Sequence, residues 1–240
     1  MDVDVLDPTD ARTLLAGARG VLFDFDGPLC RLFPRGSSRE VADALRLLVA
    51  GAGARNVLTE GERDDKDPHV VLRAVHRAVR TGRLGRDDGL VGALEARVTE
   101  GEILAAGRAE PTPDAARLIS RLAARGVRLA VVTNNSARAA SAFLEAHGLR
   151  GCFDVVHGRT RDVDRMKPHP DVVNRALRSL GLRRGDAVMI GDSPADVGAA
   201  RRAGVGFIGY GRNADKETRL RGAGATLVVR SYAGLLEENA

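Results

Sequence analysis

Apolar residues along this chain follow two rhythms, and the change from one to the other divides it. From Val127 onward, short apolar runs alternate with helical stripes. VRLAVVT reads as a buried strand, ARAASAFLEAHG as a helix closed by Gly148, FDVVHG as a strand, and PDVVNRALRSLG as a helix with Pro170 near its start and Gly181 past its end. AVMIGD, PADVGAARRAG, GVGFIGY and ATLVV continue the alternation. This spacing predicts βαβ units with right-handed crossovers and hence a parallel sheet. GVLFDFD at 20–26 reads as another such strand, behind a short helix over residues 8–18.

Between Leu29 and Glu110 the strand signal disappears. VADALRLLVA, VVLRAVHRAV and LVGALEARVTEGEILAA carry apolar residues at helical spacing, separated by polar turns such as GAGAR, GERDDKDP and TGRLGRDDG. PTPDAARLISRLAARG, bracketed by Pro113 and Gly126, then leads back as a helix into the sheet. The expected fold is α/β: a Rossmann-like parallel-sheet core over residues 1–29 and 111–240, with a small helical unit over 30–110 inserted after the first strand.

Composition narrows the function classes. The chain has 240 residues, enough to bury a sizeable core, and no apolar stretch long enough to span a membrane. The acidic N-terminus MDVDVLDPTD is unlike a secretory signal, so the expected compartment is the cytoplasm. A net charge of +5 suggests nucleic acid, but the basic residues are interleaved with acids and aromatics reach only 3%, which argues against a stacking groove. Of the 37 basic residues only Lys66, Lys167 and Lys216 are lysines. Against that background Lys167, directly after Met166 in a motif region, indicates a compact point charge where a planar fork would not serve. Cys30 and Cys152 are expected as free thiols, with no His beside Cys30 to make it a nucleophile.

The candidate chemistry sits where apolar runs end. Asp24 and Asp26 close the first strand as D-F-D-G; positions i and i+2 of an extended segment share a side, so their carboxylates are expected to converge. Close like charges push one pKa up or recruit a cation. Thr133 closes LAVVT ahead of Asn134, Asn135 and Ser136 at a helix start, a hydroxyl with N–H groups that suits phosphate; for Asn135 and Ser136 plain N-capping is an adequate role. Lys167 emerges between the prolines of K-P-H-P-D, where His169 reads as a turn residue. Asp192 follows VMIG as a strand-end acid of the kind Mg²⁺ prefers, and Asp196 begins the next helix, where meeting the dipole is a sufficient role. A parallel sheet would deliver Asp24, Thr133 and Asp192 to one carboxyl edge, where open α/β sheets bind ligands.

Taken together, DFDGPL, VVTNN, the Lys of MKPHPD and GDSPAD, in that order over residues 20 to about 232, resemble the four motifs of the haloacid dehalogenase superfamily. The helical insertion is similar to the C1 cap of its phosphoglycolate phosphatase and β-phosphoglucomutase-like branch; Pro28, where Thr or Val is commoner, departs from the pattern without touching the reacting groups. The resemblance implies a Mg²⁺-dependent phosphatase for a small phosphorylated metabolite. Asp24 would be the nucleophile forming an aspartyl-phosphate. Asp26 would be the acid and base, with its backbone carbonyl on the metal. Thr133, Asn134 and Lys167 would hold phosphoryl oxygens, Asp192 would complete the metal site with Asp24, and Asp196 would support it from behind. The dehalogenase branch lacks an acid at the Asp26 position, so a phosphoryl substrate is favoured over a haloacid.

Two other readings share this core. A phosphomutase would need a second phosphate site, for which Arg31, Arg35 and Arg39 near the cap entrance are candidates. A catalytically idle binding protein would not need the complete reacting set. His69 and His76, seven apart and on one helical face, give only weak support for a role beyond a polar cap surface, and the apolar cap stripes fit internal packing or a dimer contact equally, so the oligomeric state is not legible.

Overall fold

The computed structural model describes residues 8–34, 37–85 and 88–237. Helix α1 (Pro8–Gly17) precedes strand β1 (Gly20–Phe23), which lies at the centre of a six-stranded sheet. On one side of it stand β4 (Arg128–Val132) and then β5 (Val155–His157); on the other stand β6 (Ala187–Gly191), β7 (Gly206–Tyr210) and β8 (Val228–Val229). Every pair is parallel. Helices α6 (Ala115–Ala124), α7 (Ala137–Ala146), α8 (Asp171–Leu180), α9 (Pro194–Ala203), α10 (Ala214–Gly222) and α11 (Ala233–Leu236) supply the crossovers and the closing turn.

Side-chain alternation explains why both faces are covered. On β1, Val21 and Phe23 pack with Leu118 and Ile119 of α6 and Phe143 of α7, whereas Leu22 packs the other way with Val173 and Leu177 of α8 and Ala199 of α9. Strands buried on both faces read as unbroken apolar runs, which is why they were visible in the sequence. Left-handed Gly181 and Gly204 end α8 and α9, as Gly past a helix end does.

The insertion is helical as expected: α2 (Ser38–Gly51), α3 (Glu60–Asp64), α4 (Pro68–Arg80) and α5 (Asp88–Ala106). Leu45, Val71, Val75, Leu94 and Val98 bury one another in an apolar cluster of its own, joined by Val163 and Met166 from the loop that carries Lys167. Two details differ from the sequence reading. The first half of GERDDKDP is not a turn but α3, started by a capping box between Thr59 and Glu62. The stretch taken as strand-free is bounded by a two-residue antiparallel ribbon, β2 (Cys30–Arg31) on β3 (Glu110–Pro111). The insertion therefore leaves and rejoins the sheet region at one place. Arg31 pairs with Glu110 across this ribbon, Arg39 is exposed, and Arg35 lies outside the described residues. Among the described residues no helix is long and apolar enough to cross a membrane.

Candidate active site

Register places the reacting groups. Phe23 lies level with Val131 and Ile190, so Asp24, Thr133 and Asp192 all leave the sheet at its carboxyl edge. β1 itself stops at Phe23, shorter than the expected strand. Asp24 keeps one ladder bond, donating its N–H to the Ile190 carbonyl, and Asp26 lies past the strand in an isolated bridge with Cys30. A cleft of about 430 Å³ opens there, bordered by Asp24, Asp26, Thr133, Asn134, Lys167 and Asp192 from the sheet side and by Lys66 and His69 from the helical insertion.

Asp24 is held on one oxygen. Its Oδ1 accepts the Phe25 N–H at 2.7 Å and the Lys167 ammonium at 2.7 Å. Burial, then the neighbouring Asp196 charge, push its pKa up to about 7 against the opposing pull of Lys167. Asp26 accepts the Leu32 N–H at 2.9 Å, and burial raises its pKa too. An acid with a raised pKa can hold a proton to give away.

Lys167 spends all three of its N–H bonds on oxygen: the Val132 carbonyl at 3.0 Å, Asp24 Oδ1 at 2.7 Å and Asp196 Oδ1 at 2.6 Å. Burial works against its charge, but Asp196 and Asp24 outweigh burial and raise its pKa, so it stays an ammonium. Its backbone is tied to the neighbouring loop by Asn134, whose amide accepts the Lys167 N–H at 2.7 Å and donates to the Lys167 carbonyl at 3.1 Å. Both ends of the Asn134 side chain are therefore occupied in joining two loops. The Thr133 hydroxyl is wholly buried and bonded to Asn135.

Asp24, Asp192 and Asp196 each place a carboxylate oxygen within 4.8 Å of the others. Asp196 is committed elsewhere: Oδ1 takes Lys167, and Oδ2 takes the N–H groups of Asp192 and Ser193 and the Ser193 hydroxyl at 2.6 Å. Asp192 instead meets the Lys216 ammonium of α10. The turn after Asp26 makes room for this pair. Gly27 has φ 114°, and a Cβ there would run into the Asp192 carboxylate, so only glycine fits.

Three site residues were missed in the sequence: Lys66, His69 and Lys216. Scarcity was the available signal, since all three lysines of an arginine-rich chain stand at this one cleft. Cys30, by contrast, behaves as a core residue: it is fully buried, and burial pushes its thiol pKa well up.

Over residues 18–204 the chain matches the family described as haloacid dehalogenase-like hydrolase. It belongs to that family. Among relatives of this haloacid dehalogenase-like hydrolase, a phosphoglycolate phosphatase of Rhodospirillum rubrum is 34% identical over 235 residues, spanning 90% of this chain and 89% of its own. A phosphoglycolate phosphatase of Escherichia coli K12 is 30% identical over 211 residues, covering 81% of this chain and 82% of the other. The crystal structure of CbbY from Rhodobacter sphaeroides in complex with phosphate superposes with a TM-score of 0.64 over 91% of this chain and 96% of that one. At 24% identity that likeness speaks to the fold alone.

Proposed function

We propose that this hydrolase is a divalent-metal-dependent phosphatase that cleaves the phosphate monoester of a small metabolite through an aspartyl-phosphate on Asp24. The observation that carries the reading is the placement of Asp24: a buried carboxylate held through Oδ1 by Phe25 and Lys167, with a second acid, Asp26, two residues on. Oδ2 takes neither of those bonds and is the attacking atom. It bonds to phosphorus as the ester P–O bond breaks, and Asp26 gives its proton to the departing oxygen. Asp26 then takes a proton from water, whose oxygen displaces Asp24 and leaves as orthophosphate. The Asn134 backbone N–H would receive the phosphoryl oxygens, the Thr133 hydroxyl would turn to them from Asn135 Oδ1, and Lys167, whose three N–H bonds go to Val132, Asp24 and Asp196, would meet them through its charge.

The residues fit a hard cation. Asp24 and Asp192 offer carboxylate oxygens, the Lys216 ammonium on Asp192 shows that this spot takes positive charge, and Gly27 keeps it clear. Asp24, Asp192 and the Asp26 carbonyl would hold Mg²⁺, with Asp196 orienting from behind. When bound, the metal supplies charge neutralisation for the phosphoryl oxygens and keeps Asp24 ionised. The helical segment, residues 30–110, is read as a cap over a core made of residues 1–29 and 111–240. The names of the Rhodospirillum and Escherichia relatives, together with Lys66 exposed at the cap side of the cleft, support an anionic leaving group, with 2-phosphoglycolate the first substrate to try. Arg31, one of the arginines a mutase would use for a second phosphate, is paired with Glu110.

Phosphate release from 2-phosphoglycolate, sugar phosphates, nucleotides and an aryl phosphate, with Mg²⁺ and with chelator, tests the reading. Release that needs the metal and vanishes in Asp24→Asn supports it. Release that survives Asp24→Asn, or none from any substrate by folded protein, overturns it.

A further inference from the structure

The cleft has a second wall that takes no part in the steps above. Ser38 at the start of α2 and Lys66, Asp67 and His69 around the start of α4 border it from the insertion. With the phosphoryl group held at the sheet edge, the rest of the substrate meets this wall. Two of its charged groups are already matched. Asp67 caps α4, its Oδ1 accepting the His69 N–H at 2.9 Å, and the His69 ring is held between Glu102 Oε1 at 3.0 Å and Asp67 Oδ1 at 3.4 Å. Glu102, buried on α5, is in turn tied to Arg159 at 2.7 Å.

Lys66 differs. Its backbone is held on both sides: Arg46 donates to the Asp65 carbonyl, Asp65 Oδ1 accepts the Asp67 N–H at 2.8 Å, and buried Pro68 opens α4. Its side chain is exposed, and no carboxylate of the described residues lies within ion-pair distance of its ammonium. At the same cleft Lys167 is matched by Asp24 and Asp196, and Lys216 by Asp192. Among the described residues of this cleft, Lys66 is therefore the lysine whose charge is left for a ligand. A fixed backbone leaves only its side chain to be ordered when one binds.

We propose that Lys66 determines specificity at this site: its ammonium selects substrates whose leaving group carries a negative charge, a carboxylate or a phosphate. The inference rests on the reading of the cleft as that of a phosphatase and adds how the substrate is chosen. Ser38, the neutral group on this wall, bonds a hydroxyl as readily as a carboxylate, so discrimination by charge falls to Lys66.

The test is the preference for an anionic over a neutral leaving group, a ratio of two kcat/KM values that does not depend on how much of a preparation is active. 2-Phosphoglycolate and pyrophosphate supply the carboxylate and the phosphate; 2-hydroxyethyl phosphate, with an uncharged hydroxyl in place of the carboxylate, is the reference. With Mg²⁺ present the wild type should prefer one of the two anions, and which one it prefers tells carboxylate from phosphate. Lys66→Met should lower that preference about 10–100-fold, as loss of a hydrogen bond to a charged group does. The change should fall chiefly on KM, because the contact is made alike in the ground and transition states. Lys66→Arg keeps the charge and should restore most of the preference. A wild type indifferent to leaving-group charge, or a ratio unchanged in Lys66→Met, overturns the inference and leaves the phosphatase reading standing. An equal fall in Lys66→Arg does the same, since it marks a structural role. Hydrolysis of none of the three by folded, Mg²⁺-loaded protein overturns that reading and the inference with it.

Discussion

Replacing Lys167 by Met removes one buried charge and abandons three acceptors: the Val132 carbonyl and one oxygen each of Asp24 and Asp196. Met fills most of the stem volume, so the loss is chiefly electrostatic. Asp24 already titrates at about 7 because burial and the Asp196 charge outweigh the ammonium, and without Lys167 its pKa climbs further. The sign of the effect on stability follows from proton counting. The folded pKa lies above the unfolded value of about 3.9, so between the two the folded state holds more protons and stability falls as pH rises. In the wild type that fall ends near pH 7; in the variant it continues to the new, higher pKa. Measured in chelator, the variant's deficit is therefore constant below about pH 6 and grows above pH 7. Over about 1.5 pH units at about 1.4 kcal/mol each, it widens by about 2 kcal/mol by pH 8.5. Urea unfolding of both proteins at three pH values reads this directly. Deficits that stay equal from pH 6 to pH 8.5 would refute the coupling of Lys167 to Asp24. Turnover should fall by about 10²–10³-fold, the scale for losing one preorganised electrostatic contact in an active site.

Gly27→Ala would force a Cβ into the Asp192 carboxylate at a left-handed φ; a loss of about 1–3 kcal/mol in urea unfolding is expected, with Mg²⁺ binding weakened in calorimetric titration. Lys216→Met removes the ammonium that competes for Asp192, so Mg²⁺ should bind about tenfold tighter in the same titration, and unchanged or weaker binding would contradict the role given to Lys216. Ser193→Ala breaks the capping box of α9 and takes a hydroxyl from Asp196 Oδ2, costing about 1 kcal/mol in unfolding free energy; a neutral result would show that the Ser193 and Asp192 N–H groups hold Oδ2 without the hydroxyl.

What could be read ahead of the structure shares one property: it sits where an apolar run stops. Asp24, Thr133 and Asp192 each follow strand-forming residues buried on both faces, and a parallel sheet brings such ends together at one edge. The ribbon of Cys30–Arg31 on Glu110–Pro111 was not legible, because two residues carry no periodicity. Glu102 looked like one more polar position in LVGALEARVTEGEILAA; nothing local distinguishes an acid that meets water from one that meets Arg159. Asn134 was expected among the phosphate-holding residues; that its amide joins the Lys167 backbone, 33 residues away, was not legible.

The sequence by itself determined the strands of the parallel sheet, the helical insertion, and which acids, hydroxyl and lysine stand at the sheet edge, because local hydrophobic period and chain order suffice for those. Only the tertiary structure decided which of these groups are paired. Lys167 bridges Asp24 and Asp196, Lys216 rests on Asp192, and α5 reaches the Thr133 loop through Glu102. Charge and proton affinity depend on distance and burial, and both are set by packing between segments far apart in the chain.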